Sequence, residues 1–235
     1  AECARAAAAA ARPRSGAALY LAIERARDNL LGQQREDGHL CAQLEADITL
    51  EADLILVLHF LGRARTHAGL VAKAAREILS QQLPGGGFSI FPGGPPDVSA
   101  TVKAYFALKL AGISAGAEPL ARARAAIAEL GGITRCNTYT RLYLALFGQY
   151  DWKGIPEILP EIMLLPPWFP LNLYDMSSWT RAIIVPLMVV NHYRPLAPVP
   201  EGCGIDELRG DRRAERTLYV ESRNGASPWK RVFLS

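Results

Sequence analysis

Two kinds of apolar pattern alternate along the chain. Leu19, Ile23, Ala26 and Leu30 recur at i, i+4, i+7 and i+11 with Glu24, Arg25, Arg27 and Asp28 opposite, which predicts an amphipathic helix with one wet face. Leu70, Val71, Ala74, Ala75, Ile78 and Leu79 repeat the pattern, with Lys73, Arg76 and Glu77 outside. Between them residues 54–61 are apolar all round, as in a helix surrounded by other helices or lipid. Short apolar runs also suit buried strands, but residues 47–61 carry no turn signal and include helix-favouring Glu51, Ala52 and leucines. Residues 97–110, 137–147 and 176–191 are further inner-type helices, and Pro186 is expected to kink the last of them.

The alternation is repeated. Gln34 and Gln82 are 48 residues apart and Gly38 and Gly86 follow them, while Asp47, Asp97 and Asn137 are spaced by 50 and 40. In each copy an outer helix ends in a glycine-containing turn, an extended loop follows, and Asp or Asn beside a hydroxyl residue stands where an N-cap opens the inner helix. The fold class expected is therefore all-α, with α/α helical-hairpin repeats forming most of an α/α barrel. Residues 17–200 carry the repeats. The Ala/Arg-rich start, residues 1–16, is expected to be disordered, and residues 201–235 to be an incomplete, truncated extension.

Charge and composition narrow the partners. Of 235 residues, 26 are Lys or Arg and 23 Asp or Glu, with no basic stripe, so the footprint of a nucleic-acid binder is missing. Cys3, Cys41, Cys136 and Cys203 have neither CxxC spacing nor finger-spaced histidines, which favours free thiols over a zinc site or a disulfide framework. The run 182–190 is too short to cross a bilayer.

The glycines at 85–87 and 93–94 lack a following GK[ST] and a preceding strand, so they read as turns rather than a phosphate cradle. Glu45, Asp47, Glu51 and Asp53 do not form a DDxxD-type magnesium run, and His39, His59, His67 and His192 share no ligand spacing. Glu51 is explained by the dipole at a helix start. Asp53 lies deeper in an apolar helix and needs a partner if it faces inward. The densest aromatic region, residues 166–181, places Trp179 at an inner-helix start, where its face would suit either core packing or a carbocation pocket.

Five segments, residues 30–63, 85–112, 131–152, 160–187 and 228–234, resemble the squalene-hopene cyclases in order and spacing. Gln34 and Gln82, each four residues before a glycine, look like the family's glutamine-tryptophan repeats, with Leu40 and Phe88 where tryptophan is usual. The resemblance implies a class II triterpene cyclase: an enzyme of the intramolecular transferase (isomerase) and squalene hydratase type, which protonates squalene and guides a ring-closing cascade to hopene or hopanol in hopanoid biosynthesis. It implies no metal and no cofactor, because a protonated aspartate of a DxDD motif is the acid. No DxDD run occurs in these 235 residues, so no catalytic acid is assigned. By resemblance, Trp179 and Tyr139 match substrate-pocket aromatics, and Asp53 and Glu51 match the polar network behind the pocket. Lys103 and Asn137 stand where some members have an acid and an arginine. The resemblance also implies squalene or a related polyene as ligand, a peripheral position on the cytoplasmic side of the bacterial inner membrane, and a possible homodimer of the full-length protein.

Two readings follow. One is the N-terminal portion of a squalene-hopene cyclase, inactive alone. The other is a non-catalytic α/α-repeat remnant that binds lipid or protein.

Overall fold

The computed structural model describes residues 16–41, 47–156, 158, 160–170 and 172–209. They form α1 (Gly16–Gln33), α2 (Thr49–Phe60), α3 (Ala68–Ser80), α4 (Val98–Leu110), α5 (Glu118–Glu129), α6 (Thr138–Leu146) and α7 (Ser178–Tyr193), with short 3-10 turns between. Among the described residues the extended pairings are two isolated antiparallel bridges, Gln34 with Leu40 and Phe88 with Asp97, so the all-α expectation holds. The expected disordered start lies outside the described residues except for Gly16, which opens α1. Residues 210–235, with the segment 228–234, lie outside them too.

The chain divides into two compact units, residues 1–45 and 46–235. In the first, α1 runs into a turn in which the Gln34 Nε2 donates to the Gly38 carbonyl at 2.7 Å, with Gly38 at φ 88°. In the second, the same turn recurs after α3: Gln82 Nε2 donates to the Gly86 carbonyl at 2.8 Å, and Gly86 stands at φ 86°. Only glycine holds that conformation cheaply, and a Cβ on Gly86 would lie 2.5 Å from the backbone of Arg122. Gln82 reaches further, donating to the Pro119 carbonyl at 2.8 Å, while Arg122 donates to its Oε1 at 2.9 Å. One amide thus ties a turn to the start of the next outer helix. Phe88 is fully buried and its N–H donates to Thr101 Oγ1 at 3.0 Å.

Within residues 46–235 α3 and α4 sort as their patterns predict, whereas two helices expected to be enclosed are not: α2 leaves Val57 48% exposed and Leu61, at its end, 56%, and the buried residues of α7 are Met188 and Asn191. The outer helices bury one stripe each: Val71, Ala74, Ala75 and Ile78 on α3, and Leu120, Ala123, Ala126 and Ile127 on α5. Leu70, read as part of the α3 stripe, is 44% exposed in the helix's first turn. The inner helix α4 is buried on every side from Ser99 to Leu110 and packs against α2, α3, α5 and α6. Tyr105, Phe106, Ile55, Ile78, Leu120 and Leu144 are among the core's fully buried side chains.

The caps follow the repeat in two of three copies. Asp97 Oδ1 accepts from the Ala100 N–H and Asn137 Oδ1 from the Thr140 N–H, each at 2.8 Å. In the first copy Ile48 is the cap residue, and Asp47 stands one residue earlier, accepting from the Thr49 N–H at 3.1 Å. The physical reason is that Asp47 also accepts from the Thr49 hydroxyl, which closes a turn ahead of the helix. α7 begins on Ser177, whose hydroxyl accepts from Thr180 at 3.1 Å, and runs on through Pro186 to Tyr193. Pro186 removes one rung of the ladder without ending the helix.

Candidate functional site

The repeat register brings polar side chains together. Counting six residues on from Asp47, Asp97 and Asn137 gives Asp53, Lys103 and Tyr143, one from each of α2, α4 and α6. Lys103 Nζ lies 3.0 Å from Asp53 Oδ1 and 4.7 Å from the centre of the Tyr143 ring. The lysine is 8% exposed, so its charge has left water and is compensated by a carboxylate on one side and an aromatic face on the other. Burial holds the Asp53 carboxyl above its ordinary value, with the Lys103 charge pulling it back. Burial also raises the Tyr143 phenol, and the nearby Asp53 and Tyr139 add to the rise.

Of the residues expected at the site, Asp53 and Tyr139 therefore belong to one neighbourhood. Tyr139 is half-exposed on the first turn of α6. Glu51 sits in the first turn of α2, with a buried Oε2 that has no hydrogen-bond partner among the described residues. Trp179 is elsewhere, 76% exposed in the first turn of α7. Asn137 is occupied as a cap, and its own N–H donates to Ser99 Oγ at 2.9 Å, linking α6 to α4.

Twelve residues on from the same three openers stand His59, Lys109 and Gln149, a second polar level. Burial lowers His59, which hydrogen-bonds the backbone of Leu110. Lys109 is 4% exposed; its Nζ donates to the Gly204 carbonyl and, at 2.6 Å, to Glu207 Oε1, which also accepts from the Tyr105 hydroxyl at 2.7 Å. Burial alone would raise Glu207, but the hydrogen bonds from Lys109 and Tyr105 outweigh it and hold the carboxyl below its ordinary value. The sequence reading found neither Lys109 nor Glu207, and it did not pair Lys103 with Asp53. Extending the cap spacing inward by one and a half turns would have paired the latter.

The free thiols fit an unreactive reading where they are buried. Cys136 is enclosed and burial pushes its thiol up to about 12. Among the described residues no group of three His, Cys, Asp or Glu side chains is placed to hold a metal ion.

Comparison with known proteins identifies the family. The model of the squalene-hopene cyclase N-terminal domain matches residues 23–235. A squalene-hopene cyclase of Zymomonas mobilis is 41% identical over 90% of the chain and 31% of its own length, and one of Alicyclobacillus acidocaldarius is 38% identical over 79% and 29%. A dammaradiene synthase of the fern Dryopteris crassirhizoma is 33% identical over 82% and 28%. The chain spans about a third of the length of the curated relatives it matches. The reading as a non-catalytic lipid- or protein-binding remnant is not favoured by relatives that are cyclases and synthases by name. Repeated glutamine-tied turns, capped inner helices and these matches place the chain in the squalene-hopene cyclase family, as its N-terminal domain.

Proposed function

We propose that this chain supplies the N-terminal domain of a cyclase that folds squalene or a related polyene and closes its rings by a proton-initiated cascade. The observation that carries the reading is the match of nearly the whole chain to the N-terminal domain of that family. Supporting it, three inner helices converge on one polar level with Tyr139 beside it, which suits a wall that meets both hydrocarbon and developing positive charge. On this reading Tyr139 and Trp179 line the polyene pocket, and Asp53 and Glu51 belong to the polar network behind it. The proton donor comes from outside these 235 residues, which contain no DxDD run. The enzyme would be an intramolecular transferase of the isomerase class working at the surface of the inner membrane. No helix among the described residues is long and apolar enough to cross a membrane.

The test joins this chain in frame to the remaining part of the Zymomonas relative and supplies squalene in detergent micelles. Gas chromatography is expected to show cyclised triterpene from the hybrid and none from the 235 residues alone. Trp179→Leu and Tyr139→Leu in the hybrid are expected to lower turnover or shift the product pattern. Cyclised product from the chain by itself, or a folded hybrid indifferent to both substitutions, would overturn the assignment.

A further inference from the structure

The segment after α7 is built unlike the helices it covers. Pro195, Pro198 and Pro200 remove three backbone donors and stiffen residues 195–200. At one end Arg194 closes α7 in the left-handed region, φ 44°, the one non-glycine residue there among the described residues. At the other, Gly202 stands at φ 78° and turns the chain into the short helical turn Asp206–Leu208.

The stiff stretch lies over the C-terminal ends of α6 and α4. The Ala197 N–H donates to the Leu146 carbonyl at 2.8 Å, satisfying a helix end that has no partner of its own. Cys203 Sγ lies 3.2 Å from the Lys109 carbonyl, which also accepts from the Gly112 N–H at 2.9 Å. Beyond Gly202 the Ile205 N–H donates to Gln149 Oε1 at 2.8 Å, and Ile205 and Leu208 are buried. The fastening is Lys109, whose ammonium bridges Gly204 and Glu207 while Tyr105 holds the same carboxylate. The polar contacts join residues 51 to 102 positions apart, and beside them Ala197, Ile205 and Leu208 are buried in the core with Val199 and Cys203 packed against it.

We infer that residues 195–208 are a strap, hinged at Arg194 and fastened by Lys109 to Glu207, that opens and closes as one unit over the C-terminal ends of α4 and α6. Separate opening follows from the inventory of contacts. The strap's apolar anchors, Ala197, Val199, Cys203, Ile205 and Leu208, are small or lie in one short stretch, its stiffness spreads a release at one end to the other, and opening returns Lys109 and Glu207 to water rather than leaving either stranded. The helices beneath keep their own packing, since α4 is held on its remaining sides by α2, α3 and α5.

Hydrogen exchange on the 235-residue chain reads this directly. Glu207→Gln keeps the shape and an acceptor but removes the charge, and is expected to speed exchange at Ala197 and Ile205 together by about tenfold or more, with Tyr105 and Leu108 of α4 unchanged. Exchange in α4 rising in step with the strap, or Ile205 responding while Ala197 does not, would overturn the inference. If that variant does not fold, the unaltered chain in low urea serves. Ala197 and Ile205 are expected to share one opening free energy lower than that of α4, and merged values for strap and helix would count against it.

Discussion

Lys103 and Asp53 occupy the same place in successive repeats, six residues past the openers of α4 and α2, and their charged atoms meet at 3.0 Å. A pair that the repeat itself juxtaposes joins two inner helices, alongside the hydrogen bond from His59 to the backbone of Leu110. Removing one member leaves the other to find water. Asp53 is partly exposed and has that option, whereas Lys103 is enclosed. Asp53→Leu, which leaves Lys103 without an acceptor there, is therefore expected to cost about 1–3 kcal/mol in urea unfolding and Lys103→Met clearly less. The double variant Asp53→Leu/Lys103→Met should return to within about 1 kcal/mol of the parent. Equal costs for the two single variants would refute the asymmetry.

The two carboxylates respond to acid in opposite senses. Glu207 is held below its ordinary 4.5, so its contribution is complete above that value and is lost as pH falls through the lower folded one. Asp53 is held above its ordinary 3.8, so its ionised form is a cost at neutral pH that disappears as pH falls through the raised value. Unfolding free energies measured from pH 7 down to 3 should show a shallower acid loss for Glu207→Gln than for the parent, and a steeper one for Asp53→Asn. Parallel curves for all three proteins would rule this out.

The glutamine ties differ in depth. Among the described residues Gln34 bonds within its own exposed turn, whereas Gln82 joins Gly86, Pro119 and Arg122. Gln82→Leu is expected to cost about 1–3 kcal/mol and Gln34→Leu less than about 0.5 kcal/mol. Gly86→Ala should exceed both, because the left-handed backbone is compounded by the clash with Arg122. Thermal midpoints of the three variants give the order.

Caps provide an independent check on the repeat. Asp97→Ala and Asn137→Ala each remove a 2.8 Å bond to a first-turn N–H and are expected to cost about 1 kcal/mol each. Their effects should add when combined less well than for distant sites, since Asn137 also meets Ser99 of α4. Strict additivity would argue that the two helix starts are independent.

The periodicity along the chain foretold α3, α4 and α6 because each burial pattern is local: a stripe for an outer helix, a continuous run for an inner one. Asp97 and Asn137 were legible as caps for the same reason. Asp53 was legible as a carboxylate in need of a partner, but its partner was not, since a lysine 50 residues away carries no sign of direction until the repeat spacing is extended into the helix. Lys109 and Glu207 are 98 residues apart with no periodic relation, so nothing local could pair them. Trp179 is marked for a pocket by its place in the chain alone; in this unit it stands 76% exposed in the first turn of α7.

Lys103 and Lys109 are both interior residues of α4, and each is neutralised from a different direction, by Asp53 before it in the chain and by Glu207 after it. During synthesis the first countercharge is present when α4 emerges, but the second follows 97 residues after Leu110. At about 5–20 residues per second that is a delay of roughly 5–20 s. Until Glu207 arrives, the C-terminal half of the most buried helix must keep one cation in water, so the nascent chain can seal the α2 side of α4 well before it seals the end.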